Sequence, residues 1–223
     1  MLFDTKGHCF ERDVIMLNVR WYLSYKLSYR DLEEMAAERG LQVDHTTVYR
    51  WVKKFTPELE KKVRSLKRTA GRSWRLDETY IKVKGQWKYL YRAVDEEGYT
   101  VDYLLTAKRD RKAAKRFICK AVKLNSAPSK INIDKSGANT AGINQYNADE
   151  GSNIEIRQCK YLNNIIEQDH RPIKQLYRAT LGFKNFRSAM ITICGFESMR
   201  IIRKRQINAD GCTSAEIFYN IAS

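Results

Sequence analysis

Three acids in this 223-residue chain stand where the local pattern would hold them rigidly. Asp77 lies in the β-prone run "SWRLDETYIKVKG", Asp134 closes the short apolar "KINID", and Glu167 sits in the helix-like "YLNNIIEQDHRPIKQLYRATLGF". A carboxylate entering an apolar surface costs several kcal/mol unless it is paired or metal-bound. An Asp, Asp and Glu set offers oxygen ligands to one or two Mg²⁺ or Mn²⁺ ions. Two such ions about 3.5–4 Å apart can activate a water or a 3′-hydroxyl and stabilise the leaving oxygen at phosphorus. On a helix, Glu167 shares a face with His170, Arg171 and Lys174, and Arg171 and Lys174 would grip phosphates beside the cut. The bland alternative is three surface acids paired with some of the 41 basic residues. Four other acids compete: Asp95 reads as a turn residue, Asp102 as an exposed strand position, Asp149 as a loop acid, and Asp169 as a capping or pairing residue on another helix face.

Lys and Arg number 41 against 26 Asp and Glu, a formal charge of +15 with a pI near 9.6, so the first partner to expect is a polyanion. With 43% hydrophobic and 11% aromatic residues the chain can bury a core. No apolar run approaches the roughly 18 residues of a membrane span, and the N-terminus lacks a secretory pattern, so the expectation is a soluble, cytoplasmic protein without a membrane partner. Five scattered cysteines without a C-x-x-C pair, and only three histidines, argue against a zinc site; any metal falls to carboxylates.

These acids need elements to position them. Residues 10–56 read as three helices: one with the stripe Phe10, Val14, Leu17 and Trp21; one opened by Ser28 and Asp31 and closed at Gly40, burying Leu32, Met35 and Ala36; and one capped by Asp44 or Thr46, burying Val48, Trp51, Val52 and Phe55. The last two suggest a helix-turn-helix whose second helix shows His45, Thr46, Thr47, Tyr49, Arg50, Lys53 and Lys54 to DNA, or else a small bundle with a solvated basic face. Pro57 is expected to stop that helix, leaving a basic linker over 57–72 that lies along phosphates or is simply solvated. From Trp74 the texture turns strand-like. Three consecutive strands, a helix burying Ala114, Phe117, Ile118, Ala121 and Val122, the strand ending at Asp134, a turn-rich loop over 135–152 with room for one short helix, a candidate fifth strand "NIEIRQ", and two long helices follow. Pro172 should kink or restart the first of these; the second is amphipathic through Phe186, Met190, Ile193, Cys194, Glu197 and Ile201. That order predicts an α/β fold: an all-α helix-turn-helix over 1–56, then a mixed sheet flanked by helices over 73–206, with a tail over 207–223.

The blocks "RWYLSYKLSYRDLEEMAAERGLQVDHTTVYRWV", "WRLDETYIKVKGQWKYLYRAVDEEG", "AKRDRKAAKRF", "INIDKSGAN" and "RQCKYLNNIIEQDHRPIK" resemble the transposases of small bacterial insertion sequences, insertion-sequence family six, over about Phe10 to Gln206. The resemblance implies a helix-turn-helix that binds terminal inverted repeats and a ribonuclease-H-like domain with a D, D, E triad at Asp77, Asp134 and Glu167, holding Mg²⁺ or Mn²⁺. Lys174 matches the basic residue seven after the Glu. It further implies cleavage at the element ends to 3′-hydroxyls, their attack on double-stranded target DNA with cointegrate formation, no covalent protein intermediate, and a homodimer or larger assembly in a bacterial, nucleoid-associated setting. The rivals are a DNA-binding regulator with a silent catalytic domain and a nuclease of the same fold.

Overall fold

Apolar spacing and capping set the first three helices. The computed structural model describes residues 9–179 and 182–223, apart from the side chains of Lys160 and Ala179. Helix α1 (Arg12–Ser24) precedes α2 (Tyr29–Ala37), which opens on a capping box in which the Asp31 amide donates to Ser28 Oγ and the Ser28 amide to Asp31 Oδ2. Gly40, at φ +72°, turns the chain toward α3 (His45–Leu66), capped by Asp44. The buried side of α1 differs from the expected stripe: Ile15, Met16, Val19, Tyr22 and Leu23 are buried, while Val14, Leu17 and Trp21 are only half covered. In α3 the expected Val48, Trp51, Val52 and Phe55 are all buried.

Pro57 does not stop α3, which runs nine residues further to Leu66 through most of the expected linker. Proline there forfeits a single backbone donor, and buried Thr56, Leu59 and Val63 anchor the turns on either side.

Strands β1 (Ser73–Val83), β2 (Gln86–Val94) and β3 (Thr100–Thr106) form an antiparallel meander; β4 (Lys130–Ile133) joins β1 in parallel, and β5 (Glu155–Arg157) joins β4 in parallel. The resulting order β3-β2-β1-β4-β5 is a ribonuclease-H-like mixed sheet. Helices α4 (Arg111–Asn125) and α5 (Gly137–Glu150) cover one face: Phe117, Ile118 and Ala121 of α4 and Ile143 and Tyr146 of α5 pack with Trp74, Leu76, Tyr91 and Ala93. The segment expected as a loop is thus largely a helix of 14 residues. Its buried positions, Asn139, Gly142, Ile143 and Tyr146, carry little apolar signal, and Gly142 lets its backbone lie against Ala114.

A short 3₁₀ turn (Lys160–Asn163) leads into α6 (Asn164–Ala179), which continues through exposed Pro172 without restarting. Helix α7 (Phe186–Arg203) is buried on nearly every side from Gly195 to Ile202, with Phe186 and Met190 exposed, so the expected amphipathic stripe does not describe it. The expected tail contains α8 (Ser214–Ala222), capped by Thr213 and Glu216 and burying Ile217, Phe218 and Ile221. Asp102 is buried and ion-paired to Lys120 at 3.0 Å instead of exposed.

Two compact units result: Thr69–Lys174 around the sheet, and the residues up to Arg68 together with Gln175–Ser223. The helical unit therefore draws on both ends of the chain, and α7 belongs to it and not to the sheet unit, unlike the expected division at 73–206. No helix among the described residues is long and apolar enough to cross a membrane.

Candidate catalytic centre

Two of the three acids are brought together by strand register. Leu76 of β1 lies opposite Ile133, the last residue of β4, and Asp77 and Asp134 each follow directly on those partners. Beyond β4 the chain turns sharply: the Ser136 amide donates to the Asp134 carbonyl at 2.6 Å and the Lys135 amide to Asp134 Oδ1 at 2.7 Å, after which Ser136 caps α5. Asp134 is exposed, and the Asp77 side chain is 25% exposed.

The third acid is placed by an amide clamp. Asn132, two residues before Asp134 and 4% exposed, donates to the Cys159 carbonyl at 3.0 Å and to Asn163 Oδ1, and accepts from the Cys159 amide at 3.2 Å. This fixes the entry to α6 against β4. Helix α6 then turns Ile166, His170 and Ile173 inward and leaves Glu167, Arg171 and Lys174 exposed. The expected shared face of Glu167 and His170 is divided accordingly: His170 is a core residue at 2% exposure, and Glu167 does not enter an apolar surface.

His170 is held from two sides. Its Nδ1 lies 3.3 Å from Arg92 Nη1 and its Nε2 lies 3.2 Å from Asp77 Oδ2. A guanidinium only donates, so Nδ1 accepts, the ring is neutral with its proton on Nε2, and Nε2–H donates to Asp77. Burial pushes the His170 pKa down, assisted by Arg92, although the hydrogen bond to Asp77 acts upward. Arg92, 1% exposed, stands opposite Asp77 on β2 and also donates to the Asp169 carbonyl at 3.0 Å and carboxylate at 2.5 Å. Asp169 thus takes the pairing role expected of it, and Asp95 the turn role, accepting from the amides of Glu97 and Tyr99.

Ion pairing divides the acids of the sheet unit. In the sheet unit Glu78, Glu96, Asp102, Asp149, Glu155 and Asp169 each pair with an Arg or Lys. Among the described residues Asp77, Asp134 and Glu167 have no Arg or Lys partner, and neither do Asp95, Glu97, Asp110 and Glu150; Asp77 meets the neutral His170 and Asp134 a backbone amide. Next door, Glu78 points to the opposite face of β1, where burial pushes its pKa up and Arg109 at 3.2 Å offsets this only in part. The triad oxygens are not gathered as a closed ligand set; among the described residues the one group of three with ligand atoms within 4.8 Å of one another is Glu33, Asp44 and His45. There His45 Nδ1 meets Glu33 at 3.0 Å, tying α2 to the start of α3. The donor chemistry at Asp77, Asp134 and Glu167, all oxygen, accessible and without a basic partner among the described residues, fits a hard divalent cation.

In the helical unit, Arg50, Lys53, Lys54 and Thr46 are exposed on α3. His45 and Tyr49 are partly spent on structure: Tyr49 packs edge-on against Tyr29 at 5.6 Å, and Thr47 is half-buried. Sequence reasoning missed Arg92, Asn132 and Asn163; a charged residue set in the otherwise apolar, aromatic run "YLYRAV" was the available signal for the first.

A family model described as a DDE domain matches residues 71–206. The chain is 40% identical over 201 residues to the transposase for insertion sequence-like element IS431mec of Staphylococcus aureus, covering 88% of this chain and 87% of that one. It is equally similar, over the same shares, to the transposase for insertion sequence element IS257 in transposon Tn4003 of Staphylococcus aureus. Among solved structures, the HTLV-2 integrase catalytic core domain in complex with magnesium is 18% identical, with 67% of this chain and 97% of that one covered and a TM-score of 0.49. The BIV integrase catalytic core domain is 15% identical, with 68% and 95% covered and a TM-score of 0.46.

The family model and the relatives define a polynucleotidyl transferase. The chain belongs to the DDE transposases of insertion sequences, insertion-sequence family six, whose members use divalent metal and act on DNA.

Proposed function

We propose that this transposase binds the terminal inverted repeats of its element through α2 and α3, and that Asp77, Asp134 and Glu167 hold Mg²⁺ or Mn²⁺, two ions in the full complex. The observation that carries the reading is the register that sets Asp77 of β1 level with Asp134 just beyond the parallel β4, both without an Arg or Lys partner among the described residues, in a chain of +15. Bound divalent ions supply activation of a water or 3′-hydroxyl oxygen and stabilisation of the leaving oxygen. The protein does the rest. Asp77, midway along β1, lies level with Asp134 just beyond the end of the parallel β4, Glu167 stands on a helix tied to β4 by Asn132, and His170 orients the Asp77 carboxylate by donating to Oδ2. Arg171 and Lys174 bind the phosphates flanking the cut. On α3, Thr46, Arg50, Lys53 and Lys54, with Thr47, Tyr49 and His45 nearer the body of the unit, meet the repeat; base-edge contacts set sequence preference and phosphate contacts set salt dependence. Joining two ends to one target calls for at least a homodimer, and replicative joining yields a cointegrate.

Strand transfer tests this, using a labelled element end, a target plasmid, and Mg²⁺ or Mn²⁺. Joined product is expected from the intact protein and none from Asp77→Asn, Asp134→Asn or Glu167→Gln, with end binding retained in all three. Undiminished joining by any of these variants removes that residue from the triad; bound but uncut ends under both metals leave a DNA-binding protein with a silent catalytic unit.

A further inference from the structure

Strands β1 and β2 outrun the rest of the sheet. Strand β3 pairs with β2 only from Tyr89 onward and β4 with β1 only up to Leu76, so Tyr80 to Lys88 form a two-stranded ribbon that none of the five strands flanks. Its tip is a two-residue turn at Lys84 and Gly85, with φ of 49° and 77°. One face of the ribbon carries the cross-strand pairs Tyr80 with Tyr89 and Lys82 with Trp87. Trp87 is 60% exposed and Tyr80 49% exposed, whereas Trp74, the other tryptophan of the sheet unit, is 1% exposed. The Tyr80 ring lies 6.3 Å from Trp87 and 5.4 Å from Tyr89, and Lys82 Nζ lies 5.8 Å from the Trp87 ring. The acid on this face, Glu78, is turned inward onto Arg109, so the charge shown to solvent is that of Lys82, Lys84 and Arg109.

Exposed rings interleaved with cations fit a partner that offers both flat π-faces and phosphates. Duplex DNA covers its base faces, and phosphate contacts alone would need the lysines but not Trp87 or Tyr80. We infer that the Tyr80, Lys82, Trp87 and Tyr89 face of the ribbon is a stacking platform for unpaired DNA nucleotides at the element end. This rests on the transposase reading for where such nucleotides arise: Asp77 lies three residues down the same strand, about 10 Å away and on its other face, so a strand freed at the cut can pass over the ribbon.

The test uses the full chain, in Ca²⁺ without Mg²⁺ or Mn²⁺, with two forms of one element end: fully paired, and carrying a short unpaired flap with 2-aminopurine at the cut. The intact protein should bind the flapped end more tightly and quench 2-aminopurine. Trp87→Ala should weaken flap binding roughly tenfold and abolish the quenching without changing affinity for the paired end; Trp87→Phe should keep most of both. Equal losses on the two ends would overturn the platform in favour of a groove or backbone contact. A fall in assembly mass with flap selectivity intact would overturn it in favour of contact with a second copy. Circular dichroism of Trp87→Ala separates misfolding, and Tyr80→Leu repeats the test from the opposite strand. Failure of strand transfer with flap selectivity retained would sink the catalytic reading and leave the platform; joining without flap selectivity would sink the platform alone.

Discussion

At the scale of single residues, the least expected feature of the centre is a neutral histidine whose tautomer is dictated by an arginine. Arg92 cannot accept, so it forces the proton of His170 onto Nε2, where it meets Asp77 at 3.2 Å. A hydrogen-bonded carboxylate keeps a fixed orientation for its other oxygen, and loss of such an outer contact typically costs about 10- to 100-fold in metal affinity or activity. His170→Ala should lower the rate of strand transfer by that order and raise the Mn²⁺ concentration needed for half-maximal rate. His170→Gln, which can again present an N–H to Asp77, should recover much of both. Equal defects in the two variants, with Mn²⁺ dependence unchanged and only melting temperature lowered, would make His170 a packing residue. The three acids were nominated from type and setting, because a carboxylate at the end of a buried strand or on a helix among cations stands out; register sets Asp77 and Asp134 level, whereas Glu167 is exposed and outside the apolar surface expected for it. Arg92 and Asn132 were not nominated, because their meaning lies in partners on distant segments, Asp169 and His170 for one and Cys159 and Asn163 for the other.

Elements were legible where apolar spacing and caps agreed, as in α2, α3 and α4, and illegible where packing overrode pattern. Helix α5 is the clear case. It buries an asparagine, a glycine, an isoleucine and a tyrosine, and its start at Ser136 and left-handed stop at Gly151 are its plainest marks. Its fit against α4 depends on the missing side chain at Gly142: a Cβ there would lie 2.5 Å from Ala114 Cβ and 2.9 Å from the Lys115 amide nitrogen. Alanine ordinarily favours a helix by about 1 kcal/mol over glycine. Here the clash should reverse the sign, and Gly142→Ala should lose about 1–3 kcal/mol in urea unfolding. A gain in stability would show that α4 and α5 are not in such close contact. Because α5 follows Asp134 directly, the same variant should also reduce strand transfer at temperatures where it remains folded.

On the scale of the whole molecule, the consequential fact is that the helical unit is discontinuous. Sequence pattern placed an independent helix-turn-helix at the N-terminus, but α3 packs on α7, and a Cβ at Gly195 of α7 would meet Leu23 at 2.4 Å and Thr56 at 2.9 Å. Arg203 near the end of α7 donates to the Ser24 carbonyl at 2.6 Å, and Lys67 bridges to Ile207. Helix α8 then adds Ile217, Phe218 and Ile221 to the same interior. Nothing in the spacing of residues 10–56 announces these partners, since they arrive after the entire catalytic unit. Truncation should therefore act at a distance in sequence. A fragment ending at Arg68 should show no cooperative melting by circular dichroism and no preference for the element end, although it contains α1, α2 and α3 complete. Removing residues 207–223 from the full chain should lower the melting temperature of the helical unit and weaken end binding, while all three triad acids stay in place. Cooperative melting and sequence-selective binding by the short fragment would instead show that the N-terminal helices fold alone, and that α7 and α8 are accessory to DNA recognition.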